Sequence, residues 1–456
     1  MKSKAPAQQR VGAFIVPFTG ICAILPQMKV CRIPSGQPTV VCLLLIFLLV
    51  FCSCTTPSTL ENTRLGMGSP TSYMEQNGIP AYQASLPVLY HTGVEWNKRA
   101  LQMIKEAQDY LLIDIFLGNL HYASVPVWEA LADKVAQGVR VYCMFDSSSY
   151  FQVDPKTQDI VPAVLNYLRE LGIPVVEYNP FSMSHTAFLP LLLDRDHRKF
   201  WIVDGKRIAV GGININYASL ALPPETGNID SMAEFSSPGV IRAMVDSFVE
   251  TWNRYDPRQL DVSDFTVDVH ADNLDTSVWL IDHHWPARSQ TTVLFDAFTL
   301  GAQKELWMVQ GFAFLTHALI DRIANAVSRG VDVHIILSEN AGKEHYEKAA
   351  LYGILDLLDV GAHVYIYRDP GEAFLHLKLM VADKHLTVFG STNYNLRSQT
   401  LSREISVVYD DKRLGEMAMD HIEHLMKYAR MVDREEALKY RTFGGYLNYL
   451  LMQVWG

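Results

Sequence analysis

The chain has 456 residues, 49% of them hydrophobic and 19% charged, and carries a net charge of -10. That composition excludes a disordered chain, and the length exceeds what one core usually serves, so two domains or two halves are expected. The acidic balance argues against a nucleic-acid partner, because polyanion binding leaves a basic footprint.

Five of the six cysteines (Cys22, Cys31, Cys42, Cys52 and Cys54) precede residue 55, so no disulfide framework can hold the main body; Cys143 reads as a core residue. Val40 to Cys52, "VVCLLLIFLLVFC", is an apolar run too short for a comfortable membrane span and suited to the core of a signal peptide, with Lys29 and Arg32 as its positive flank. "FCSC" resembles a lipoprotein signal in which Cys54 is lipidated, and Met28 would serve as its start. A short uncleaved anchor is the other reading. Both place the body outside the cytoplasm or on a membrane: a cell envelope, periplasmic or surface side, or secreted.

Residues 55–80, rich in Ser, Thr, Gly and Pro, read as a tether. Helix–strand alternation follows over 96–117, 127–145 and 161–180, and again over 294–312, 319–338 and 351–369. "ALADKVAQGVRVYCMF" matches "RIANAVSRGVDVHIIL" in pattern: helical spacing of apolar residues, a stopping Gly, then a strand. One α/β unit is used twice. The expected layout is a leader over 1–54, the tether, a first repeat over 81–255, a solvated linker over 256–290, a second repeat over 291–430 and an amphipathic segment over 431–456. In that last segment Tyr446, Tyr449 and Trp455 interleave with Leu447, Leu450, Leu451 and Val454, which suits either a bilayer interface or packing on the domain itself.

Each repeat ends in the same constellation. "DRDHRKFWIVDGKRIAVGGIN" (194–214) and "HLKLMVADKHLTVFGSTN" (376–393) place His, Lys, Asp, a small residue and Asn in identical register. His197 shares a strand face with Lys199, and His376 with Lys378. Asp204 and Asp383 fall in hairpin turns and are placed to pin them. The return strands bring Asn214 beside Gly212 and Asn393 beside Ser391, small residues that let backbone or ligand approach. Core packing does not call for inward lysines, so the recurrence points to chemistry. Two histidines suit displacement at a phosphodiester: one imidazole attacks phosphorus, the other protonates the leaving alkoxide, and two lysines with two asparagines neutralise the phosphate, with no metal or cofactor.

HxKxxxxD followed by GGxN or GSxN, twice in one chain, resembles the phospholipase D superfamily over roughly residues 85–430. "NIDSMAEFSSPGV" and "GSTNYNLRSQTLSRE" are similar to its cardiolipin synthase branch, with Asn228, Asn395 and Ser402 standing where that branch has Trp, Asp and Asn. The resemblance implies two α/β repeats, each a mixed sheet flanked by helices, packed side by side about one cleft. It implies His197 as nucleophile and His376 as acid and base, an assignment that the internal symmetry leaves reversible. It also implies a downstream carboxylate holding each histidine through Nδ1: Asp230 for His197 and Glu404 for His376. The implied activity is phosphatidyl transfer from one phospholipid to the hydroxyl of another. Hydrolytic phospholipase D is the close alternative, and a nuclease or a silent lipid-binding protein the remote ones.

Overall fold

Sixteen strands form in a computed structural model that describes residues 68–152, 163–182, 190–270, 273–284, 289–339 and 344–455. They are β1 (Ala81–Ala84), β2 (Val88–Thr92), β3 (Tyr110–Ile115), β4 (Arg140–Asp146), β5 (Val175–Tyr178), β6 (Lys199–Val203), β7 (Arg207–Gly211) and β8 (Ile229–Phe235), then β9 (Thr276–His283), β10 (Glu305–Gln310), β11 (Asp332–Ser338), β12 (His363–Tyr367), β13 (Lys378–Ala382), β14 (Leu386–Gly390), β15 (Glu404–Asp410) and β16 (Ala429–Met431). All of them lie in one compact unit, Asn62–Gly456.

One sheet runs β2-β8-β7-β6-β3-β4-β5; the other runs β1-β9-β15-β14-β13-β10-β11-β12-β16. Without its edge strands β1 and β16, the second sheet repeats the order of the first, strand for strand. In both, three parallel strands (β3, β4, β5 and β10, β11, β12) adjoin an antiparallel block. The sequence-level expectation of two α/β repeats, each a mixed sheet with helices, is the architecture found.

Local sequence explains the units. The helix Gly93–Glu106 begins at a capping box, Thr92 accepting from the Glu95 N–H while Glu95 accepts from the Thr92 N–H, and buries Trp96, Ala100, Met103 and Ile104 on one face. Gly138 and Gly330 follow equivalent helices at positive φ, a conformation that stops a helix and costs a side chain dearly. The inner faces of the two sheets share a core that includes Leu112, Phe200, Val210, Leu379, Phe389 and Val407 together with the helices Pro238–Tyr255 and Lys412–Met426. The outer faces are covered by the remaining long helices.

Two boundaries differ from the sequence reading. The end of the supposed tether is the helix Pro70–Gln76, capped by Ser69, with Pro70 in its first turn and Met74 buried. The supposed solvated linker contains β9, a buried strand between β1 and β15. Its apolar core, Val278 to Ile281, is flanked by aspartates and histidines that dominate the local composition, and so reads as polar. The leader, Cys54 and the start of the tether lie outside the described residues. No helix among the described residues is long and apolar enough to cross a membrane.

Candidate active site

Each catalytic-motif strand starts where the other repeat meets it. The His197 N–H donates to the carbonyl of Arg403 (3.0 Å), and the His376 N–H donates to the carbonyl of Ile229 (2.8 Å). These backbone bonds set His197 beside Glu404 and His376 beside Asp230. His197 Nδ1 lies 3.0 and 3.2 Å from the two Glu404 oxygens, and His376 Nδ1 lies 2.7 Å from Asp230 Oδ2. The pairing implied within each repeat is thus exchanged: Glu404 holds His197 and Asp230 holds His376. The cause is the stitching between the halves, which no spacing along one repeat can reveal.

With Nδ1 engaged, Nε2 is the atom each ring presents for chemistry. Both imidazoles are 13–14% exposed, while Asp230 and Glu404 are buried. Burial, then the Lys199 charge, lowers His197 to about 4 against the pull of Glu404; burial and Lys378 do the same to His376, against Asp230. Lys378 also acts on His197, and Lys199 on His376, so both motifs belong to one electrostatic site.

Lys199 and Lys378 are buried, each donating to the carbonyl of its own motif histidine, Lys199 at 2.5 Å. Burial lowers Lys199 to about 7 and Lys378 to about 8. Asn214 is fixed by the Leu117 N–H at its Oδ1 (3.1 Å), leaving its Nδ2 available to donate. Asn393 is 8% exposed, and its Oδ1 has no partner among the described residues.

The small residues expected beside a phosphate also make room for, or bond, the carboxylates. A Cβ at Gly212 would lie 2.3 Å from Asp230 Oδ1, so only glycine lets that carboxylate approach. Ser391, in the equivalent place, donates its hydroxyl to Glu404 Oε2 (2.5 Å) and accepts from the Ile405 N–H. Ser398 donates to Glu404 Oε1 (2.5 Å), a role that sequence reasoning missed; the signal was Asn395, whose side chain caps the short helix Leu396–Thr400 at the Ser398 N–H. Burial alone would raise Glu404, yet His197, Lys199 and Ser391 hold it below the usual carboxylate range. Asp230 receives the Ser231 N–H at 2.8 Å.

Asp204 and Asp383 face away from the histidines. Asp204 accepts the N–H groups of Gln108, Asp109 and Tyr110, and Asp383 those of Gln303, Lys304 and Glu305. Both take positive φ, as do the next residues, Gly205 and Lys384. Each aspartate therefore staples its turn to the start of β3 or β10, which fixes the strand that carries His and Lys. They are positioning residues, not groups in the reacting pocket.

Beneath the site lies a buried charge network the motif reading did not use. Arg198 bonds Asp114 (2.7 Å), Asp196 (2.8 Å), Asp282 (3.2 Å) and Ser247 (2.9 Å). The sequence signal was the density of charge in "DRDHR" amid apolar strands. Aromatic rings wall the pocket: Phe116 stands 4.8 Å from His197, edge to face, and Phe374 5.6 Å from His376.

The family described as "Cardiolipin synthase, PLD-like domain" matches residues 100–252 and 299–426, one stretch in each repeat. The chain is 25% identical over 374 residues to the minor cardiolipin synthase ClsB of Bacillus subtilis, covering 78% of this chain and 84% of that protein. It is 25% identical over 392 residues to cardiolipin synthase A of Pseudomonas syringae, covering 82% and 75%. Among solved structures, phosphatidylserine synthase of Haemophilus influenzae shares the fold with a TM-score of 0.64 at 14% identity, over 84% of this chain and 96% of that one. Two interlocked repeats with paired His–Lys strands and a family match over both of them lead to one conclusion: the chain is an enzyme of the phospholipase D superfamily and belongs to its cardiolipin synthase-like branch.

Proposed function

We propose that the protein transfers a phosphatidyl group from one phospholipid to a hydroxyl of a second, forming cardiolipin through a phosphohistidine. The observation that carries this is the pair of imidazoles held through Nδ1 by buried carboxylates beside two buried lysines. The names of the relatives supply the lipid class.

His197 Nε2 attacks phosphorus, the P–N bond forms and the P–O bond to the departing alcohol breaks, while His376 Nε2–H gives its proton to that oxygen. The acceptor hydroxyl then yields its proton to His376 Nε2, its oxygen attacks phosphorus, and the P–N bond breaks. Lys199, Lys378 and the Asn214 amide neutralise the phosphate oxygens, so the site needs no metal. The asymmetry of the carboxylates supports this assignment. Glu404 is shared among His197, Ser391 and Ser398, whereas Asp230 concentrates a 2.7 Å bond on His376 and better sustains the proton there. Burial and the neighbouring lysines favour the neutral form of both imidazoles, and an arriving phosphate anion draws in the one proton that the reaction uses.

Incubation with labelled phosphatidylglycerol in micelles containing EDTA should yield cardiolipin and glycerol. Phosphatidic acid as the sole product would identify water as the acceptor and overturn transfer. Equal activity of wild type and His197→Ala would overturn the enzymatic route.

A further inference from the structure

The described surface exposes several large apolar side chains, and two groups of them sit on elements that pack toward the motif histidines. β6 begins at Lys199, paired with Ile115 at the end of β3, and β13 begins at Lys378, paired with Gln310 at the end of β10. The loops that follow the parallel strands therefore emerge at the catalytic end.

On the first repeat, Phe151 after β4 and Phe181 after β5 form an edge-to-face pair 4.8 Å apart, 65% and 42% exposed. The Arg195 guanidinium lies 4.9 Å over the Phe181 ring, two residues from His197. On the second repeat, the helix Phe443–Trp455 buries Tyr449 and Met452 against Phe314, with the Tyr449 hydroxyl donating to the Leu315 carbonyl. That cluster includes Phe312, whose ring stands 6.2 Å from His376. The helix's other face shows Phe443, Tyr446, Leu447 and Leu451, 43–78% exposed, at helical spacing.

We propose that these two patches form one docking rim by which the cleft mouth inserts into a phospholipid bilayer, so that substrate enters from the lipid layer without crossing water. Three observations select a bilayer as the occupant. The helix Phe443–Trp455 contains no charged residue, which suits acyl chains better than headgroup adsorption. An apolar run, residues 40–52, lies upstream in the same chain, and the fifteen residues 53–67 span at most about 50 Å, so a membrane holding that run would be tethered close to residue 68. Each patch also connects to a motif histidine, through Arg195 or through Phe312, where, on the function proposed above, a lipid phosphodiester must arrive. This inference rests on that reading for its purpose but not for its measurement.

Hydrogen exchange on the full chain tests the rim directly, using vesicles of phosphatidylcholine alone and of phosphatidylcholine mixed equally with phosphatidylglycerol. Residues 443–455, 147–151 and 179–182 should be slowed by both vesicles, in low and high salt alike. Protection confined to residues 1–67, or present only with anionic vesicles at low salt, would overturn the proposal. So would the same protection without vesicles at raised protein concentration, which would mark a second copy as the occupant.

A variant carrying Phe443→Ser, Leu447→Ser and Leu451→Ser should turn over vesicle lipid about a hundredfold more slowly, each lost side chain weakening insertion by up to about tenfold. It should retain turnover of monomeric short-chain phosphatidylglycerol within about twofold. Equal loss on both substrates would overturn docking as the role of this helix. If wild type turns over neither substrate, the proposed transfer fails while the exchange pattern still decides the rim.

Discussion

Replacing Asp230 by Asn should disable His376 and leave the environment of His197 nearly untouched, although Asp230 follows His197 in its own repeat. The carboxylate is fully buried and its 2.7 Å contact to His376 Nδ1 is a single charge-assisted bond, so the pair should couple by about 2–3 kcal/mol. Glu404 divides itself among His197 at 3.0 and 3.2 Å and two serine hydroxyls, so the second pair should couple by about 1–2 kcal/mol. Double-mutant cycles built from Asp230→Asn, Glu404→Gln, His197→Gln and His376→Gln, read by urea unfolding at pH 7, separate the alternatives. The combinations Asp230 with His197 and Glu404 with His376 should couple by less than about 1 kcal/mol, the remainder passing through the lysines they share. Coupling above 1.5 kcal/mol between Asp230 and His197, with none to His376, would refute the exchanged pairing.

Gly212→Ala should lower kcat about a hundredfold with little change in KM, because the new Cβ displaces Asp230 and with it the His376 ring; steady-state kinetics on short-chain lipid reads this. Lys199→Met should abolish activity yet stabilise the fold by about 2–4 kcal/mol at pH 6, measured by urea unfolding. The sign follows from burial: the unfolded lysine titrates at 10.5 and the folded one at about 7, so the unfolded chain binds more protons between them. Stability therefore rises with pH through that window, and below pH 7 the full cost of the buried charge is present. For activity, kcat/KM should fall below about pH 4 as the nucleophilic imidazole is protonated in the free enzyme. Above about pH 4 it should decline gradually, because His376 must then take up its proton from solvent, and more steeply above pH 7–8 as Lys199 and Lys378 lose the charges that neutralise phosphate, so a profile still rising at pH 9 would contradict the lysine assignment.

What the sequence discloses here follows from how local each feature is. The repeated frame of His197 and His376 with their lysines, and the helix–strand alternation before each, are periodic along the chain, and the matching strand orders are their three-dimensional form. Spacing also located Gly212 and Ser391 as partners of one another, but spacing carries no direction. Their duty toward Asp230 and Glu404 is visible only once β7 and β8, or β14 and β15, lie side by side. The exchanged pairs and the Arg198 network depend on contacts between residues separated by much of the chain, and β9 was hidden by the charges around its apolar centre. In each of these cases tertiary pairing overrides the local pattern.

The backbone bonds from His197 to Arg403 and from His376 to Ile229 also order events in time. As the chain is synthesised, the first motif, its lysine and its asparagine are complete long before residue 404 exists, yet His197 still lacks its carboxylate. Asp230, although already made, serves a histidine that has not yet appeared. A chain truncated between the repeats thus carries half the chemical groups, and its one motif histidine has no carboxylate at Nδ1. On the function proposed above, reactivity toward phosphodiesters should arise only when the second half docks, so that a partly made chain leaves the lipids around it intact.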